Sequence, residues 1–62
     1  MIFINAVSEA KRGARIRHPG MGPGWSFVWE GGRLWALNPH TGSRTDQMQD
    51  SDRARNDWEI VK

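Results

Sequence analysis

Four tryptophans and two histidines, set among nine lysines and arginines, are the side chains of this 62-residue chain with the most chemistry to offer. Trp25 and Trp35 have the flat apolar faces on which a nucleobase stacks, an interaction of about 1–3 kcal/mol per base. Arg17, Arg33 and Arg44, with Arg15, carry the planar guanidinium forks that suit phosphate oxygens. Asn56 has the paired donor and acceptor that read an adenine edge or a ribose hydroxyl, and Asp57 follows it directly. Met21 is a soft apolar side chain suited to one wall of a pocket. Each has a plainer reading: Trp35 filling a subunit interface, the arginines solvated, Asp57 capping a turn or pairing with an arginine, Met21 an incidental loop residue. For Trp35 the two readings merge if the pocket lies at that interface.

Catalysis finds less support. His18 and His40 are joined to no serine or cysteine nucleophile by a recognisable motif, and the chain has no cysteine. The carboxylates gather in a polar stretch between 46 and 59, with no apolar setting to raise a general acid. Two histidines without thiolates make no zinc site, and Asp50-Ser51-Asp52 lacks the glycine and the distal glutamate of a calcium loop. The expectation is a binding protein with no catalytic residue, no metal and no cofactor.

A small scaffold has to position these residues. Trp25-Ser26-Phe27-Val28-Trp29-Glu30-Gly31-Gly32-Arg33-Leu34-Trp35-Ala36-Leu37-Asn38 reads as a β-hairpin, two runs rich in aromatic and branched residues around a Gly-Gly pair suited to a two-residue turn. That turn fixes the register: Glu30 opposite Arg33, Trp29 opposite Leu34, Val28 opposite Trp35, Phe27 opposite Ala36, Ser26 opposite Leu37. Alternation puts Trp25, Phe27, Trp29, Leu34 and Ala36 on one face, and Val28, Trp35 and Leu37 on the other with the Glu30–Arg33 pair.

Upstream, Ala6, Val7 and Ala10 recur at helical spacing, with Asn5 as the expected N-cap, Phe3 stapling the entry against Val7, and Gly13 as the left-handed stop. Ala14-Arg15-Ile16-Arg17-His18 alternates as a strand with Ile16 and His18 inward. Pro19 to Gly24 is a loop: a phosphate cradle or simply a connection. Downstream, Asn38 to Gly42 is a turn, Arg44-Thr45 a short edge strand, and residues 50–56 one helical turn capped by Ser51 or Asp50. Trp58 to Val61 is a last strand. The expected fold is α+β, one domain over 1–62: a small antiparallel sheet with one short N-terminal helix packed on one face.

Both hairpin faces are apolar, and one short helix covers only one of them. A chain of this size buries about 60% of its unfolded surface, and of the usual staples for small scaffolds self-association is the one left. A homo-oligomer is therefore expected. The net charge of +2 suits a small anionic partner; a nucleic-acid duplex would call for more charge on one face. No apolar run approaches the roughly 18 residues of a membrane span, and no signal peptide is visible, so the expected location is the cytoplasm.

The spacing Phe3-x-x-Ala6-Val7-x-x-Ala10-x-x-Gly13-x-x-Ile16-Arg17 before a Pro-Gly turn, closed by Asn56-Asp57-Trp58-Glu59-Ile60-Val61, resembles the second type of Thoeris anti-defence protein. The likeness covers about the first twenty residues and the last eleven. It implies a phage sponge acting in an infected bacterial cell, a dimer of dimers that holds a cyclic ADP-ribose-type or cyclic oligonucleotide signal between subunits without cleaving it. Arg17 falls on a matching position. Two departures stand out. Met21 occupies the place of a family tryptophan, which hands base stacking to Trp25 or Trp35. Asp46-Gln47-Met48 stands roughly where the longer family chains carry a proline-tryptophan element. The alternative function is an inhibitor that binds a host defence protein, anti-CRISPR fashion, through an exposed aromatic face.

Overall fold

In the computed structural model, which describes residues 1–46 and 48–61, one antiparallel sheet carries one helix on one of its faces. The elements in chain order are α1 (Phe3–Lys11), β1 (Ile16–Arg17), β2 (Ser26–Glu30), β3 (Arg33–Leu37), β4 (Arg44–Thr45), α2 (Asp50–Arg53) and β5 (Glu59–Ile60). The sheet order is β4-β3-β2-β1-β5. This is the α+β architecture expected. Gln47, of the Asp46-Gln47-Met48 stretch, lies outside the described residues.

The β2–β3 hairpin has the register read from its turn, from Ser26 opposite Leu37 to Glu30 opposite Arg33. Gly31 and Gly32 supply it with φ of 60° and 85°, the left-handed pair that a primed two-residue turn demands. Ile16 pairs with Phe27 on one side and Ile60 on the other, which brings the N-terminal and C-terminal strands together at the sheet's second edge.

The core lies between α1 and one sheet face. Ala6, Ala10, Ile16, Phe27, Ala36 and Trp58 are buried there, with Phe3, Met21, Trp25, Trp29, Leu34 and Met48 packed around them. Small residues at Ala6 and Ala10 let the helix sit close to the strands. Trp58 is the centre of the packing, its ring centroid 5.6 Å from Phe3, 5.7 Å from Phe27 and 4.8 Å from His18. Its indole Nε1 donates to the Asp52 carbonyl at 3.1 Å.

Both helix starts differ from expectation. Asn5 is not an N-cap: it lies within α1, whose N-cap is Ile2. The reason is tertiary. Met1 and Trp58 exchange two backbone hydrogen bonds, 2.8 and 3.1 Å, and the chain enters the helix straight from that anchor. Phe3 is thus the first helical residue, with its ring turned to Trp58. The short α2 is capped by Gln49, not by Ser51 or Asp50, and Gln49 donates its N–H to the Asp52 carboxylate at 2.9 Å. The helix stop holds: Gly13 has φ 101°, and the Gly13 and Ala14 amides donate to the Ala10 and Glu9 carbonyls, a Schellman ending.

Candidate functional site

With α1 on one face, the opposite sheet face is open, and its side chains follow from register. Val28, Trp35 and Leu37 form an apolar strip across β2 and β3, with Glu30 and Arg33 at the turn, Arg44 on β4, and Arg17 and Glu59 at the far edge. Trp35 is half-buried and held at both ends. Its Nε1 donates to the Glu30 carbonyl at 2.9 Å, and the Arg33 guanidinium lies over its ring, 4.7 Å from the centroid.

Three of the expected site residues therefore meet here. Trp35 and Arg44 line one shallow depression of about 410 Å³ with Glu30 and Gly31, while Arg33 lies over the Trp35 ring and lines a separate recess with Trp29 and Asp46. Each arginine is already poised by a carboxylate, Arg33 by Asp46 and Arg44 by Glu30. These pairs are solvent-exposed, so each stabilises the fold by at most about 1 kcal/mol, and an incoming phosphate can displace the carboxylate at small cost. The Arg33 guanidinium covers this indole face, so a base stacks there once Arg33 swings aside to a phosphate.

Arg17 stands apart from this group. Its partner is Glu59 across the β1–β5 ladder, at 3.8 Å, and its Nε is buried with no hydrogen-bond partner among the described residues. It borders an apolar recess with Met1, Trp58, Ile60 and Val61.

Met21 and Trp25 meet in a second place, at the end of the helix-covered face. They line a cleft of about 210 Å³ with His18, Gly20, Gly22 and Asp52, over a floor of Phe27 and Ala36. Trp25 therefore shares a cleft with Met21. Ligand pockets usually enclose about 300–1,000 Å³, so one chain offers room for a single ring system here and a larger ligand needs a further wall. The loop from Pro19 to Gly24 forms one side. A Cβ at Gly22 would stand 3.1 Å from the Trp25 ring, so the absence of a side chain lets the indole lie against the loop.

Asn56 and Asp57 follow α2. Asp57 forks onto Arg55, with Nε to Oδ1 at 2.8 Å and Nη2 to Oδ2 at 2.5 Å, the arginine pairing anticipated as the plainer reading. That hydrogen bond holds the Asp57 carboxyl below its ordinary value and raises the Arg55 guanidinium above its own, each partly opposed by desolvation.

Sequence reasoning placed His18 inward but missed its partner. His18 Nε2 lies 2.8 Å from Asp52 Oδ1, across 34 residues of sequence, and the ring is buried against the edge of Trp58. In the sequence Asp52 is one carboxylate of the polar stretch between 46 and 59. The signal that could have found it is the Gln49-x-x-Asp52 spacing, which turns the Asp52 carboxylate back across the α2 entry and leaves its second oxygen for a partner.

Comparison of the chain with protein-family models, curated proteins and solved structures returns no match. Among the described residues, no helix is long and apolar enough to cross a membrane, and no group of three or more histidine or acidic side chains converges as a metal site would.

Proposed function

We propose that the protein is a sponge for a small cyclic nucleotide signal, of the cyclic ADP-ribose or cyclic oligonucleotide class, which it binds between subunits and withholds from an effector without cleaving it. The observation that carries this reading is the grouping of Trp35 with Arg33 and Arg44 on the face that α1 leaves uncovered. The base takes the place of Arg33 over the Trp35 ring, and the two guanidinium groups swing to the phosphates. The Met21–Trp25 cleft offers a second apolar wall, sized for one ring, and Asn56 remains the candidate for polar reading. Both recesses are open and shallow, which agrees with a ligand enclosed by two copies of the chain.

The second reading is an inhibitor that docks on a host defence protein. It draws on the strip of Val28, Trp35 and Leu37, and on Ile2 and Ile4, which are 51% and 68% exposed. The two are separated by thermal denaturation in the presence of cyclic nucleotides. A sponge gains melting temperature with a particular nucleotide and returns that nucleotide intact when the protein is denatured. An unchanged melting temperature across the whole panel contradicts the sponge and favours the inhibitor.

A further inference from the structure

One side of the Met21–Trp25 cleft is held in place by a histidine that can make its two hydrogen bonds in only one protonation state. The Gly20 backbone N–H donates to His18 Nδ1 at 3.1 Å. That nitrogen must therefore present a lone pair, which places the single ring proton of a neutral imidazole on Nε2, facing the Asp52 carboxylate at 2.8 Å. His18 is 3% exposed, with Trp58 against it, so water does not substitute freely for either partner.

We infer that His18 is a proton-operated latch on the cleft: a proton arriving at Nδ1 breaks the Gly20 N–H bond and loosens the Gly20–Gly22 loop, which then keeps only the Met21 N–H bond to the His18 carbonyl at 3.1 Å, while the bond to Asp52 holds. The two bonds respond in opposite senses. On protonation, Nε2–H to Asp52 becomes a charge-assisted hydrogen bond and strengthens. At Nδ1 two N–H groups then face each other across 3.1 Å, and the Gly20 amide has lost its acceptor.

Charged groups stand on both sides of this turn. Asp52 is the carboxylate in direct contact with the ring, and Asp57 is held by Arg55. The Arg55 guanidinium lies against Gly20, with Nη1 2.9 Å from where a Cβ on that residue would sit. Gly20 is thus wedged between an existing cation and a ring that becomes one. Trp58, the remaining neighbour, is neutral.

Movement of Gly20 carries Met21 and Gly22 with it, and Trp25 rests on Gly22. All are cleft walls. Regulation of ligand capture rests on the reading that this cleft takes part of the nucleotide; the latch itself does not, and it is tested with no ligand present.

The test is an NMR titration of the intact protein from pH 8 to pH 4.5. It follows the His18 ring nitrogens, the exchange rate of the Gly20 amide and the indole N–H resonance of Trp25. The expected result is one shared transition. As Nδ1 gains its proton, Gly20 exchange rises about five- to tenfold beyond its intrinsic pH dependence, the loss of one hydrogen bond, and the Trp25 resonance shifts with it. His40→Gln, which removes the other histidine, leaves that transition in place. The latch is overturned if His18 is protonated while Gly20 protection and Trp25 stay unchanged. It is equally overturned if the ring stays neutral until the whole protein unfolds. Failure of nucleotide binding alters none of these readouts, so the two ideas fail separately.

Discussion

Replacing Trp58 by alanine is expected to remove most of the stability of the fold. The indole is 2% exposed, packs against Phe3, Phe27 and His18, and bonds the Asp52 carbonyl. Truncating a buried tryptophan costs about 3–5 kcal/mol in transfer and cavity terms. The lost indole bond adds about 1 kcal/mol by stranding a carbonyl acceptor. A domain of this length has a total stability of about 3–9 kcal/mol, at 0.05–0.15 kcal/mol per residue, so the variant loses roughly half to all of it. Trp58→Phe keeps a ring in place and costs about 2 kcal/mol, from the bond and the smaller ring. Trp35→Ala is the internal comparison. That indole is half-buried on the open face and gives up one exposed hydrogen bond and one cation–π contact, about 1–2 kcal/mol together. Urea unfolding followed by far-ultraviolet circular dichroism ranks the three. The reasoning is refuted if Trp58→Ala costs less than Trp35→Ala, because the core would then not be built around Trp58.

Other outcomes follow from the same geometry. Gly32→Ala should lower stability by about 1 kcal/mol through backbone strain alone, since φ is 85° and no heavy atom stands within 4 Å of the added Cβ; Gly31→Asn should be better tolerated in urea unfolding, because asparagine adopts the left-handed conformation readily. Arg33→Ala with Arg44→Ala should lower the melting temperature by no more than about 10 °C, both ion pairs being exposed and the Arg33–Trp35 contact being lost with them, yet leave the protein folded and weaken nucleotide binding at least tenfold by calorimetry. Asp57 has a folded-state pKa below its unfolded value because of the Arg55 fork. Its contribution is therefore complete above the ordinary carboxylate range and is lost as pH falls through the depressed value. Asp57→Asn should flatten that part of the acid-unfolding curve and leave the behaviour near neutrality otherwise unchanged in slope.

What the sequence disclosed was local, and what it hid was long-range. The hairpin register follows from the Gly31-Gly32 turn and the period-2 pattern around it, both contained in fourteen residues, and the structure reproduces it pair for pair. The Gly13 stop is similarly self-contained. The start of α1 was missed because it is set by Met1 bonding to Trp58, 57 positions away, and no capping side chain marks it. The Gln49-x-x-Asp52 spacing marks Asp52 as a capping carboxylate with one oxygen to spare, but nothing local names His18, 34 residues away, as the group that takes it. Among the site residues, Trp35 and Arg33 share a face because alternation requires it. Met21 and Trp25 share a cleft through the path of an irregular loop, which periodicity does not describe.

The central claim is that the uncovered face captures a small cyclic nucleotide together with a second copy of the chain. Native mass spectrometry of the protein and of Trp35→Ala, each with the same panel of cyclic nucleotides, reads subunit number and ligand count in one spectrum. The account predicts an even-numbered homo-oligomer carrying unmodified nucleotide, and an alanine variant that stays folded but loses the ligand mass. A bare monomer that takes up no nucleotide, or a variant that binds as well as the parent chain, would contradict it.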